Sequence, residues 1–417
     1  MIRLLAALPA VLLCLWGAWH AGAEGVSRLL SQYAGVSGDV PASVRAASLT
    51  PDDPEAHFAR GLVSTNAGAL EEAVRDYERA VALRPRDYYL WFMLAEARDQ
   101  AGNQDGALAA SGEAVRLAPY YAQPRWQHGN LLFRAGRMDE AFAELRRAAE
   151  SDPALLPAII DLAWGGSGQD VQAVKTLIQP QTPAEEWALA RFFARHGRSG
   201  EAIRFYREQG TVPDKEWRAL LTDLLVARKY RDAYDIWLTS HSPLSLSSER
   251  GEIDWTLTDG GFEQPLSLDD PGFGWQLSRE ATNVSMSVDV AEHKEGARSL
   301  RLEWKGDFNP SAGIISQLLI VKPKSRYRLR FYTRTQELVS GSLPIISIAD
   351  TSDAIQRVLA QSKPLPQGTS GWSEQAVEFT TGEKTEAVLM FLQRQPCNGP
   401  CPIFGLLWLD GFSLERI

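Results

Sequence analysis

The stretch "WFMLAEARDQAGNQDGALAASGEAVRLAP", residues 91–119, belongs to a pattern that repeats every 34 residues on both sides of it. Small residues and proline recur in five columns. These columns are Gly61, Ala95, Gly129 and Ala163; Gly68, Gly102 and Gly136; Ala73, Ala107 and Ala141; Ala80, Ala114 and Ala148; and Pro51, Pro85, Pro119 and Pro153. Small residues let two helix backbones approach each other, and proline ends a helix. The pattern therefore predicts stacked helical pairs.

The period and the residues of this stretch closely resemble the tetratricopeptide repeat. The matching residues are Trp91, Leu94, Ala95, Gly102, Ala107, Ala114 and Pro119. We expect three repeats over residues 54–155, a partial leading unit over 24–53, and degenerate helical hairpins over 156–241 that cap the array.

The resemblance also implies an inner face that binds a protein partner. The residues on that face would be Phe58, Leu62, Phe92, Glu96, Trp126, Asn130 and Phe133. The alternative for any one of them is that it fills space between neighbouring hairpins.

The N-terminus, "MIRLLAALPAVLLCLWGAWHAGAEG", has Arg3, a long apolar run and the small residues Ala21-Gly22-Ala23. This order is typical of a secretory signal over residues 1–23. The alternative is an uncleaved membrane anchor, because the run is long enough to span a bilayer. Both interpretations predict an exported chain, periplasmic or extracellular, with a tether to the inner membrane through residues 2–23 in the second case.

Export decides how the cysteine pair is interpreted. An oxidising compartment favours a disulfide between Cys397 and Cys401. A zinc site needs two further ligands, and a catalytic redox pair usually has two intervening residues, where this pair has Asn-Gly-Pro. We predict a structural disulfide.

Charge and motifs argue against two functional classes. The net charge of −9 offers no basic footprint for nucleic acid. The sequence contains no G-x-S-x-G, H-E-x-x-H or phosphate-cradling glycine loop. We predict a protein that is not an enzyme and does not bind nucleic acid.

The hydrophobic period changes to two in the second half, after a serine-rich linker at residues 242–258. In "SLRLEW", residues 299–304, and "RYRLRFYTRT", residues 326–335, apolar and polar side chains alternate. Many short alternating strands predict an antiparallel β-sandwich over 259–417. The expected fold class is multidomain, a helical solenoid followed by a β-sandwich.

Three landmarks, "DGGFEQP" at 259–265, "HKEGARSLRL" at 293–302 and "LLWLDGFSLE" at 406–415, resemble the jelly-roll carbohydrate-binding modules of the galactose-binding-like superfold. In those modules a structural calcium often ties the opening strand to the closing one. The matching carboxylates here are Glu263 and Asp410, and backbone carbonyls near Lys294 to Gly296 would complete the shell. The alternative is that Asp410 caps a turn and Glu263 is solvated.

The resemblance further implies a glycan surface with exposed aromatic residues, here Tyr332 and Trp372. The neighbouring Arg328, Arg330 and Arg334 would favour an acidic polysaccharide, because guanidinium groups suit carboxylates and sulfates. The alternative is a solvated face whose arginines pair with nearby acids. Trp304 and Trp408 share faces with aliphatic residues and are predicted to be core.

Proteins of this layout resemble bacterial components of exopolysaccharide assembly or export. The leading hypothesis is a non-catalytic exported adaptor whose repeats bind a protein partner and whose sandwich binds a glycan. The alternative is a structural assembly factor of an envelope complex whose sandwich binds no sugar.

Overall fold

The computed structural model describes residues 2–209, 212–241, 256–266, 271–278, 283–307, 309, 313–353, 355, 357–397 and 401–417. The chain divides into two compact units, Met1–Glu185 and Glu186–Ile417. Residues 242–255 of the predicted linker lie outside the described residues.

The first unit consists of antiparallel helical pairs. Its helices are α1 (Ile2–Ser37), α2 (Val40–Leu49), α3 (Pro54–Asn66), α4 (Leu70–Leu83), α5 (Tyr88–Gln100), α6 (Gln104–Leu117), α7 (Ala122–Arg134), α8 (Met138–Ser151), α9 (Leu156–Gly166) and α10 (Val171–Ile178), with a 3-10 helix at Pro153–Leu155. The predicted helical solenoid is confirmed. Within the described part of the chain, no helix has both the length and the hydropathy that a bilayer crossing requires.

The first small-residue column marks where the two helices of a pair cross. A Cβ atom on Gly61 would lie 2.9 Å from Tyr77 Cε1, and one on Gly129 would lie 2.7 Å from Leu145 Cγ. The equivalent pair in the middle repeat, Ala95 and Ser111, is fully buried. Glycine thus stands opposite a large side chain and alanine opposite a small one, which keeps the interior close-packed.

The other columns set the turns. Gly68, Gly102 and Gly136 have φ of 74°, 80° and 76°, a left-handed conformation that glycine adopts without strain. The prolines follow the ends of α2, α4, α6 and α8, as predicted.

A further column of the repeat was not predicted from the sequence. Its three residues differ in type, but each forms the equivalent hydrogen bond. His57 Nε2, Trp91 Nε1 and Arg125 Nε lie 2.9, 2.9 and 2.6 Å from the carbonyl oxygens of the prolines six residues earlier. These carbonyls follow helix ends, where backbone acceptors need partners from outside the helix. The bond links each first helix to the turn that precedes it.

The boundary between the units falls in the first turn of α11 (Pro183–Arg195), and the second unit continues with α12 (Ser199–Glu208), α13 (Asp214–Val226) and α14 (Tyr230–His241). Ten strands follow: β1 (Gln276–Leu277), β2 (Val284–Asp289), β3 (Ser299–Asp307), β4 (Ile315–Ile320), β5 (Arg326–Ser340), β6 (Pro344–Asp350), β7 (Arg357–Gln361), β8 (Gly368–Thr380), β9 (Ala387–Arg394) and β10 (Pro402–Arg416).

The strands form two antiparallel sheets, ordered β1-β4-β9-β6-β7 and β2-β3-β10-β5-β8. Tyr327, Leu329 and Phe331 point into a common core that also holds Trp304. The predicted β-sandwich is therefore confirmed.

The last helices and the sandwich share one hydrophobic core. Phe273, Ile320 and Ala387 from the sandwich cluster with Leu221 and Trp237 from α13 and α14. The Tyr230 hydroxyl donates to the carbonyl of Thr351 at 2.9 Å in a buried hydrogen bond. Helices α11–α14 therefore belong structurally with the sandwich.

The two cysteines lie at disulfide distance. The Cα atoms of Cys397 and Cys401 are 6.6 Å apart, within the range that a disulfide spans. Arg394 Nη2 donates to the Cys401 carbonyl at 2.6 Å, which fixes one end of the loop. The distance agrees with the predicted disulfide, which stays a prediction, and residues 398–400 lie outside the described residues.

The size match at the helix crossing gives a stability prediction. Gly129→Ala should destabilise the first unit by about 1–3 kcal/mol, because the new methyl group overpacks against Leu145. Urea denaturation followed by circular dichroism measures the change. Gly165→Ala in α9 is the matched control, because its Cβ atom would meet nothing within 4 Å and alanine favours the helix. Equal stability of both variants would contradict the size match.

Candidate functional site

A groove of about 650 Å³ lies between α5 and α7 in the first unit. It has an aromatic wall, a row of amides and three charged residues. The lining residues are Tyr89, Phe92, Met93, Glu96, Asp99, Gln123, Trp126, Gln127, Asn130, Leu131 and Arg134. The rings of Tyr89 and Phe92 stack with centroids 6.0 Å apart and an interplanar angle of 13°.

Four of the seven predicted groove residues line this space. They are Phe92, Glu96, Trp126 and Asn130.

The other three predicted residues, Phe58, Leu62 and Phe133, pack inside or between hairpins. Phe58 lies 6.0 Å from Tyr77 between ring centroids, and Leu62 packs on the same core cluster. Phe133 contacts Phe142 edge-on at 6.2 Å and lies where a Cβ atom on Gly166 would clash. These contacts agree with the space-filling alternative for the three residues.

The charges of the groove are unequally matched. Asp99 Oδ2 accepts a hydrogen bond from Arg134 Nη2 at 2.6 Å. Glu96 Oε1 accepts a long hydrogen bond from Gln100 Nε2 at 3.4 Å. Burial raises the pKa of Tyr77, behind the groove, to about 12, and the nearby negative charge of Glu96 adds to the rise. The groove thus carries an excess negative charge at Glu96.

In the β-sandwich, the predicted arginine row lies on the outer face of the second sheet among acidic residues. Glu378 accepts hydrogen bonds from Arg328 at 2.7 and 2.9 Å and from Arg326 at 2.6 Å. Glu415 accepts from Arg328 at 3.2 Å and from Arg330 at 3.0 Å. The bonds from Arg328 and Arg326 lower the pKa of Glu378, and the bond to Glu378 raises the pKa of Arg328.

These ion pairs join β5 to both of its neighbours, β8 and β10. Arg334, farther along β5, pairs with Glu292 at 3.3 Å. The arrangement agrees with the alternative in which the arginines pair with nearby acids.

The aromatic residues proposed for glycan stacking are partly covered. Tyr332 and Trp372 are half-buried, and Lys294 Nζ lies 5.3 Å from the centroid of the Tyr332 ring.

Trp408 is buried, as predicted for a core residue, but it does not share a face with the core aliphatic residues. Its neighbours Leu407 and Leu409 point into the core, so Trp408 points to the outer face. There it is buried beneath Arg334, 5.5 Å from the ring centroid, and its Nε1 donates to Asp289 at 2.8 Å.

The two predicted calcium ligands hold the loop at residues 294–298. Glu263 Oε1 accepts hydrogen bonds from the N–H groups of Ala297 and Arg298 at 2.7 and 3.2 Å. Asp410 Oδ2 accepts from those of Lys294 and Glu295 at 2.6 and 2.9 Å. N–H groups therefore face the carboxylates where the resemblance implies carbonyl oxygens. The described residues contain no group of three or more acidic, His or Cys side chains that could hold a metal ion.

The donor set does not fit calcium as it stands, because N–H groups occupy oxygens that a cation would need. Asp410 Oδ1 also accepts from the N–H of Gly411 at 2.7 Å, which agrees with a turn-capping role. Calcium binding stays a prediction of the resemblance, and the hydrogen bonds of Glu263 and Asp410 lead to the opposite expectation.

Comparison with known proteins bears on the helical array. Residues 54–87 match the family model of the tetratricopeptide repeat. The segment that contains α3 and α4 is a tetratricopeptide repeat. Such repeats are protein-interaction modules with an inner binding surface.

Over 101 residues, the chain is 28% identical to DnaJ homolog subfamily C member 3 from Homo sapiens and from Bos taurus. The match covers 24% of this chain and 20% of each relative, so the chain spans about a fifth of the length of these curated relatives.

Two solved structures are similar to about half of this chain. The MamA protein is 16% identical with a TM-score of 0.35, covering 47% of this chain and 100% of that one. PilF of Pseudomonas aeruginosa is 13% identical with a TM-score of 0.34, covering 54% and 95%.

The tetratricopeptide period contains the signal for the groove residues that sequence analysis missed. Tyr89 and Gln123 occupy equivalent positions 34 residues apart, as do Met93 and Gln127. They lie close to Phe92 and Trp126 on the same helices, so the rule of three- and four-residue spacing on one helix face would have found them. Asp99 and Arg134 follow Glu96 and Asn130 by three and four residues, but they share no column, so the ion pair between them was not predictable.

The hydrogen bonds that Glu263 and Asp410 accept from the loop at residues 294–298 lead to a prediction about calcium. We expect the melting temperature of the full chain to be the same in calcium and in chelator, measured by differential scanning calorimetry. Asp410→Asn should destabilise the second unit by roughly 1–3 kcal/mol. The backbone N–H groups that now donate to the buried carboxylate would lose a charged acceptor and face a neutral amide side chain. The exposed Asp353→Asn is the control. A calcium-dependent rise that Asp410→Asn abolishes would restore the metal site.

Proposed function

We propose that this protein is a non-catalytic adaptor whose tetratricopeptide repeats hold a segment of a protein partner in the groove between α5 and α7. The observation that supports this most directly is the composition of the groove. Aromatic rings, amides and carboxylates from equivalent positions of two neighbouring repeats face one open space of about 650 Å³. A segment of a protein chain offers apolar, polar and charged groups at the same time, which such a lining can match.

The adaptor is proposed to act outside the cytoplasm. The N-terminal sequence, with Arg3, an apolar run and small residues at 21–23, supports export. The cysteine pair at disulfide distance supports an oxidising compartment.

Two roles for the β-sandwich are compared. Glycan binding in exopolysaccharide assembly or export is the proposal that follows from the resemblance to carbohydrate-binding modules. A structural role in an envelope complex is favoured by one observation: Arg328 and Arg330 are already bound to Glu378 and Glu415. An acidic glycan would have to displace these carboxylates, so we propose the structural role for this face.

The groove proposal is tested with a library of random peptides displayed on phage. The full chain should select binding peptides, and Trp126→Ala should weaken their binding about tenfold or more, because a large aromatic anchor is lost. Tyr120→Ala is the control, since Tyr120 is 87% exposed and does not line the groove. Selected peptides that bind both variants as well as the wild type would place the binding site elsewhere.

The role of the arginine face is tested by affinity electrophoresis. We expect the full chain to migrate equally in gels that contain neutral or acidic polysaccharide, because the guanidinium groups have protein partners. Retardation in the acidic gel that disappears at high salt and in Arg330→Lys would support the glycan hypothesis instead, since salt screens charge pairs and lysine lacks the bidentate fork.

A further inference from the structure

The groove between α5 and α7 has one carboxylate without a cation. Asp99 is neutralised by Arg134, with 2.6 Å between Oδ2 and Nη2. Glu96, one helical turn away, forms no ion pair within the part of the chain that the structure describes, although it is half-buried. Partial burial strengthens the attraction that this charge exerts on a cation entering the groove.

The groove also has a buried acceptor without a donor. Gln127 Nε2 donates to the carbonyl of Phe92 at 3.3 Å. Gln127 Oε1 is buried and accepts no hydrogen bond from any described residue. A buried acceptor without a donor destabilises the free protein, and a donor on a bound segment would remove that cost. Main-chain N–H groups are donors of this kind.

The remaining lining favours an extended segment. Gln123, Gln127 and Asn130 follow one face of α7 at intervals of four and three residues. Amide side chains offer both a donor and an acceptor, which matches the alternating groups of an extended backbone. The stacked Tyr89 and Phe92 and the ring of Trp126 leave room for a large apolar side chain.

We propose that the groove recognises an extended peptide segment carrying a lysine or arginine next to a large apolar residue. Glu96 receives the cation, Gln127 Oε1 receives a main-chain N–H, and the aromatic wall receives the apolar side chain. This inference rests on the proposed function of the groove, and it adds the chemical class of the segment.

The test uses an array of immobilised random heptapeptides probed with the full chain and its variants. Wild-type binding should be enriched for lysine or arginine beside a large apolar residue. Glu96→Gln, which keeps the shape of the side chain, should weaken these basic peptides about tenfold and leave bound neutral peptides unchanged. Glu96→Lys should reverse the preference toward acidic peptides.

Glu150→Lys, at an exposed site in the last turn of α8, makes the same change in net charge outside the groove and serves as the control. It should keep the wild-type preference.

Two results would overturn the inference, and they are distinguishable. Peptides that bind through Trp126 without basic enrichment, and that ignore Glu96→Lys, would overturn the proposed chemistry and leave the groove proposal standing. No peptide binding by the wild type would overturn both.

Discussion

The size match between the two helices of each repeat is the constraint on which the helical unit depends. Gly61 faces Tyr77 and Gly129 faces Leu145, so each pair crosses at a distance that a single extra methyl group would disturb. Because close-packed interiors tolerate little change in volume, this match fixes how far each second helix can slide along the first. The hydrogen bonds from His57, Trp91 and Arg125 to proline carbonyls then attach each first helix to its preceding turn.

The two helices cross in the same way in each repeat, and this has a functional consequence. Equivalent positions of neighbouring repeats lie side by side. Phe92 and Trp126 therefore face one groove, as do Glu96 and Asn130. The scaffold fixes where these side chains are, while the residue type at each position sets the chemistry. Glutamate at position 96 and arginine at position 134, the latter bound to Asp99, give this groove its own pattern of charge. A common repeat fold can in this way select a particular partner.

The second unit shows how the exposed end of a helical array can be covered. A solenoid that stops leaves an apolar face, which terminal units usually cover with polar residues. Here Phe273, Ile320 and Ala387 of the β-sandwich pack on α13 and α14 and form a common core with them. The sandwich thus contributes to the stability of the last helices, independently of any ligand. Its outer arginine face, bound by Glu378 and Glu415, is held together by contacts between strands.

The sequence by itself determined the elements that depend on neighbours along the chain. The 34-residue columns predicted the repeats, the period of two predicted the strands, and the short spacing of Cys397 and Cys401 keeps them at disulfide distance. The tertiary structure decided which residues contact each other across the fold. Arg328 binds Glu415, 87 residues away, and Trp408 lies under Arg334 on the outer face. Periodicity shows on which face of a helix or strand a side chain lies. The residue that this side chain contacts depends on the order of the strands and on how the helices cross. Both are set by long-range packing, which the pattern along the chain does not contain.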